Sequence, residues 1–150
     1  MTSNGEPAGT VPTPITDLSF LSSVTSIDSV FLVEFQGNTL QGLHNITSCA
    51  SQFIMSFSPF IEDLSVLENL VAINNLSLFS NSSLQNLNGL DNVLDATGEF
   101  FSIAENPMLS DFCSLENLFV NGTYETIDYY VNSNLYNPTI QDIIDGNCSN

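Results

Sequence analysis

From Leu18 onward the apolar residues of this chain fall on a step of three. They run Leu18, Leu21, Val24, Ile27, then Leu40, Leu43, Ile46, Cys49, then Ile61, Leu64, Leu67, Leu70, Ile73, then Leu84, Leu87, Leu90, Val93, then Leu109, Phe112, Leu115, Leu118. Such a step is neither the 3.6 of a long helix nor the 2 of a strand. The blocks start 22, 21, 23 and 25 residues apart (40−18, 61−40, 84−61, 109−84), and a period of roughly 20 to 29 residues marks a stack of repeated coils. Residues 1–17 lack the pattern, and with Gly5, Pro7, Gly9, Pro12 and Pro14 they read as a leader with little to bury.

Each block is followed by two apolar residues in alternation and then a small polar residue: Phe31-x-Val33-x-x-Gln36, Phe53-x-Met55-x-x-Ser58, Leu76-x-Leu78-x-x-Asn81, Phe101-x-Ile103-x-x-Asn106 and Tyr129-x-Val131-x-x-Asn134. Alternating aromatic and aliphatic residues predict one strand per coil, and stacked coils place those strands in a parallel sheet. Where the chain turns inward after the strand it carries backbone groups into the core, which a side-chain amide can satisfy. Asn81, Asn106 and Asn134 are therefore expected to form a buried structural ladder, with Gln36 and Ser58 as imperfect members.

The run Leu76-Ser77-Leu78-Phe79-Ser80-Asn81-Ser82-Ser83-Leu84 resembles the LxLxxNxxL strand motif of leucine-rich repeats, and Phe101-Ser102-Ile103-Ala104-Glu105-Asn106-Pro107-Met108-Leu109 is similar with conservative changes. With Asn86-Leu87-Asn88-Gly89-Leu90-Asp91-Asn92-Val93 before a strand, the wider pattern resembles the receptor-L-domain-like repeats of bacterial, especially Bacteroidetes, surface proteins. The segment from Tyr136-Asn137-Pro138 to Cys148 looks like the C-terminal cap of such proteins. Together these imply an all-β chain: a right-handed parallel β-solenoid of leucine-rich-repeat type, with about five coils. The expected organisation is a leader over 1–17, the solenoid over 18–135 and a cap over 136–150.

Charge then narrows the functions. The 150 residues include 17 Asp and Glu but neither Lys nor Arg, a formal charge of −17, whereas ordinary usage would supply about 16 cations. Nucleic acid and anionic membrane surfaces are excluded as partners, because both are bound through Lys and Arg. No apolar run approaches the ~18 residues of a membrane span, so no membrane insertion is expected. Residues Met1 to Pro7 lack the basic and apolar regions of a signal peptide.

Candidate chemistry is sparse. His44 follows the ladder residue Leu43 and faces outward, while Cys49 falls on the core ladder, where a thiol behaves as a small hydrophobe, so the two make a poor Cys–His nucleophile pair. Pairs such as Glu62/Asp63 and Asp142/Asp145 read as a solvated face, and no zinc spacing, calcium loop or phosphate loop occurs. The expectation is a non-enzymatic protein with no cofactor and no metal. Five Asn-x-Ser/Thr sequons, at Asn45, Asn75, Asn81, Asn121 and Asn147, are no more than composition predicts. Cys113 follows ladder residue Phe112 and points off the core, and Cys148 lies in the tail, so these two are predicted to form a disulfide with Cys49 reduced.

The outward strand positions say most about function. Alternation from the proposed inward pairs exposes Leu32, Phe35, Ile54 and Phe57, with Phe79 extending the group, whereas later coils present Ser102, Glu105 and Ser133. An apolar patch rimmed by polar residues marks an interaction site, unless the leader folds over it or the two phenylalanines turn inward at the bend. The reading is a secreted or cell-surface recognition or adhesion module for a protein or glycan. Its alternative is a structural subunit that assembles with itself into a filament or layer.

Overall fold

The computed structural model describes residues 14–124 and 127–150. Five strands, β1 (Ser26–Val33), β2 (Ser48–Ser56), β3 (Ala72–Phe79), β4 (Phe100–Ala104) and β5 (Asp128–Asn132), form one all-parallel sheet in chain order. The fold is a parallel β-solenoid with little helix. Most of the leader expected over 1–17 lies outside the described residues.

The three-residue step has a direct cause. On the return path of each coil an apolar N–H bonds the carbonyl of the apolar residue three places earlier: Leu43 to Leu40 and Ile46 to Leu43, Leu67 to Leu64 and Leu70 to Leu67, Leu90 to Leu87 and Val93 to Leu90. With three residues per turn, side chains at i and i+3 eclipse, so the ladder residues all point to one side. That side is the core, where all of these are essentially inaccessible. Each path opens on a side-chain oxygen that accepts a backbone N–H two residues on, from Asp17, Thr39, Asp63, Asn86 and Asp111 in turn, an Asx-type turn that starts the spiral. Gly42 and Gly89 have positive φ, and a Cβ there would meet the carbonyls of Leu18 and Leu64.

After each strand one residue takes a left-handed conformation: Glu34, Phe57, Ser80, Glu105 and Ser133, with φ between 53° and 58°. None is glycine, so each stores strain. The first four are held by their own N–H groups, bonded to the next strand at Ser56, Phe79, Ala104 and Asn132. The kink drives the following residue into the core.

This kink corrects the expected register of coil one. Because Glu34 is the kinked residue, the inward position is Phe35 rather than Gln36, and the strand pairs Val30 with Phe53 and Leu32 with Met55. Val30 and Leu32 therefore face the core, while Phe31 and Val33, expected inside, are 56% and 58% exposed. Val30-Phe31-Leu32-Val33 is apolar throughout, so alternation cannot choose between two frames that differ by one residue and invert every side chain.

The coil count is also corrected, to about three regular turns rather than five. Among the described residues, only β2, β3 and β4 have a strand on both sides. Coil one lacks an amide at its inward position, and the path to β5 is diverted through helix α1 (Glu116–Asn121). Beyond β5, helix α2 (Ile140–Ile144) packs on α1 and buries Ile143. The tail then returns antiparallel, with the N–H of Phe112 bonded to the Cys148 carbonyl and that of Asn150 to Ser110.

Candidate functional site

The sheet's outer face is built from two register columns and the row of kinked residues. One column runs Phe31, Ile54, Ser77, Ser102, Tyr130, and the other Val33, Ser56, Phe79, Ala104, Asn132. The kinked row beside them is Glu34, Phe57, Ser80, Glu105, Ser133. Phe57 is 50% exposed and meets Phe79 edge to face, with centroids 5.5 Å apart. Ile54 is half-buried between neighbouring strands. Toward β4 and β5 the face becomes more polar apart from the exposed Tyr130, and the Ser80 hydroxyl donates to the Glu105 carboxylate at 3.0 Å.

Of the five residues expected to share this face, Ile54, Phe57 and Phe79 do. Phe35 is 4% exposed and sits in the core at the inward position, and Leu32 packs inward. Their outward places are taken by Phe31 and Val33, so the apolar corner exists with two of its members exchanged. Pro14 and Ile15 border a shallow groove against Phe31, Val33 and Phe35, so the described end of the leader flanks this corner.

Asn81, Asn106 and Asn134 are buried and linked. Each Oδ1 accepts the backbone N–H of the preceding coil's inward residue: Ser58 to Asn81 at 3.1 Å, Asn81 to Asn106 at 2.9 Å and Asn106 to Asn134 at 3.0 Å. Each Nδ2 donates to the carbonyl of Met55, Leu78 or Ile103 respectively. Sequence reasoning missed the terminator, Asn137, whose Oδ1 accepts from both the N–H and the amide of Asn134. It also missed an exposed second ladder on the return path, in which Asn45, Asn69, Asn92 and Asn117 donate to the carbonyls of Ser22, His44, Glu68 and Asp91. Its signal was present: asparagine two places after a ladder leucine, four times.

Cys113 and Cys148 form a disulfide, with Cα atoms 4.8 Å apart. Cys49 is reduced and buried, its Sγ donating to the Asp28 carbonyl, and burial pushes the thiol up from its ordinary range. His44 Nδ1 lies 3.0 Å from the Gln41 amide. The carboxylates of Asp17 and Asp142 are held below the usual range by hydrogen bonds, from Ser19 and from Thr139. Burial raises the pKa of Tyr129, whose hydroxyl has no partner among the described residues. Among those residues no group of three His, Cys, Asp or Glu is placed to hold a metal ion, and no helix is long and apolar enough to cross a membrane. Comparison with family models, curated proteins and solved structures finds no match.

Proposed function

We propose that this chain is a non-catalytic recognition or adhesion module of leucine-rich-repeat, receptor-L-like type. On this reading it works outside the cell or on its surface and takes a protein or glycan partner on the apolar corner of its sheet. The observation that carries the reading is the asymmetry of the outer face. The same columns and kinked row hold five large apolar residues in the first three strands, Phe31, Val33, Ile54, Phe57 and Phe79, beside Glu34, Ser56, Ser77 and Ser80, whereas the last two strands hold Tyr130 alone of that size, beside Ser102, Ala104, Glu105, Asn132 and Ser133. Solubility alone gives no reason for that difference. Burying each large side chain contributes about 1.5–3 kcal/mol, so three or four suffice for a specific contact once association entropy is offset. An extracellular setting is supported by the disulfide and by the lack of any Lys or Arg for trypsin-like proteases to cut. Growth of a filament end to end is disfavoured because the tail and α2 close one end of the stack.

The test is the double variant Ile54→Ser with Phe57→Ser. Wild type and variant are compared on glycan arrays and against displayed protein libraries, with sedimentation at several concentrations to read self-association. Binding by the wild type that the variant loses, at near-native stability, supports the module. A large loss of stability, or binding that survives the change, refutes it.

A further inference from the structure

We propose that the free edge of β1 takes an extended, cationic segment of a partner protein as an added strand. This goes beyond the sheet-face reading, because it uses backbone groups at the rim of the sheet rather than side chains on its face. The N–H of Glu34 bonds the Ser56 carbonyl, on the β2 side. In a parallel ladder the N–H and C=O of one residue point the same way and alternate along the strand, so those of Ser29, Phe31 and Val33 point away from β2. No strand lies beyond them among the described residues; Pro14 and Ile15 border the far end of the edge, beside Phe31 and Val33, without pairing to it as a strand. An eight-residue strand with an open edge is a template for pairing.

What lies under the edge fixes the inward side chains of the guest. Leu21, Ile27 and Leu32, which belong to the core row, are only half-buried, and with Leu18, Val30 and Leu43 they line an apolar groove beside β1. A guest strand with apolar residues at alternate positions would cover that groove as β2 covers it from the other side. The flanks fix its charge. Exposed Asp28 and Glu34 stand at either end of the edge, and the chain carries no Lys or Arg to offset them. A second copy pairing β1 with β1 would bring like charges together, whereas lysines or arginines flanking the guest's apolar run would meet opposite ones. Adding a strand is an established mode of peptide recognition in which main-chain bonds supply affinity and alternate side chains supply specificity.

Three synthetic peptides test this on the intact protein: alternating valine and threonine with two lysines at each end, the same core with glutamates at the ends, and the lysine peptide N-methylated at alternate residues. Titration and amide hydrogen exchange are the readouts. The lysine peptide should bind saturably and protect the amides of Phe31 and Val33. The N-methylated form should not bind, and the glutamate form should bind at least about tenfold more weakly, a gap that narrows with salt. Asp28→Asn with Glu34→Gln should reduce lysine-peptide affinity several-fold, while Ile54→Ser with Phe57→Ser should leave it within about twofold, separating this edge from the sheet-face site. The proposal is overturned by failure of the lysine peptide to bind, by equal binding of the glutamate or N-methylated peptide, or by protection elsewhere. Protection of the Phe31 and Val33 amides before any peptide is added would also overturn it, because residues 1–13 or a second copy would then already fill the edge.

Discussion

Replacing Asn106 by leucine should be among the most damaging single changes to this protein that create no cavity. Asn106 is fully buried, and leucine repeats its branched outline without polar atoms while being bulkier, so any overpacking adds to the loss worked out below. Its Oδ1 is the acceptor for the Asn81 backbone N–H at 2.9 Å and the Asn81 amide at 3.1 Å. Its Nδ2 donates at 3.0 Å to Leu78, Ala104 and Asn134. After the substitution the Asn81 N–H has no acceptor and no access to water, which costs about 1–3 kcal/mol. The other groups lose less, since the Ala104 carbonyl keeps the Ser80 N–H and the Asn81 amide keeps the Met55 carbonyl. Allowing about 1 kcal/mol for them together, the loss is roughly 2–4 kcal/mol, or about 4–16 °C in Tm for a chain this long. Urea unfolding followed by circular dichroism, with the disulfide intact, measures it. The control is Asn92→Leu on the exposed ladder, where the amide bond to the Glu68 carbonyl is replaced by water and the loss should stay below about 1 kcal/mol. If Asn106→Leu costs no more than this control, the inner ladder is incidental to stability and the account of why the chain needs asparagine there fails.

Two further consequences concern the C-terminal end. The Cys113–Cys148 bridge closes a sequence separation of 35 residues, so Cys113→Ser with Cys148→Ser should destabilise by about 3–4 kcal/mol in the chain-entropy account, and thiol counting on denatured, unreduced wild type should find Cys49 alone. Asp142 accepts from the hydroxyl and N–H of Thr139 in a capping box and is thereby held below its ordinary 3.8. A depressed folded-state pKa stabilises above the unfolded value and loses that contribution as pH falls through the folded one. Asp142→Asn should therefore shallow the fall in stability as the pH drops below about 4, as read by urea titrations, and an unchanged acid limb would show that the capping box does not contribute.

The repeat, the one strand per coil and the identity of the core were legible without coordinates, because a three-residue spiral repeats the same few residue types at every turn. Leu40, Leu64, Leu87 and Phe112 occupy equivalent places for one reason, and periodicity reports it. The inner ladder was legible for the same reason at Asn81, Asn106 and Asn134. What periodicity could not decide was anything set by a single turn of the chain. The frame of β1 depends on which residue kinks, and Glu34 carries no sign of a left-handed conformation that neighbouring strands impose on it through the Ser56 carbonyl. Alternation alone therefore puts Phe35 at the surface and Phe31 and Val33 in the core, and the kink reverses all three. Asn137 as the ladder's terminator follows no repeat, since it acts through a local turn three residues after Asn134, in place of an asparagine one coil further on. The open edge of β1 is likewise a property of the assembled sheet: a strand's own residues specify which way its side chains alternate, but only its neighbours decide whether its backbone has a partner on both sides.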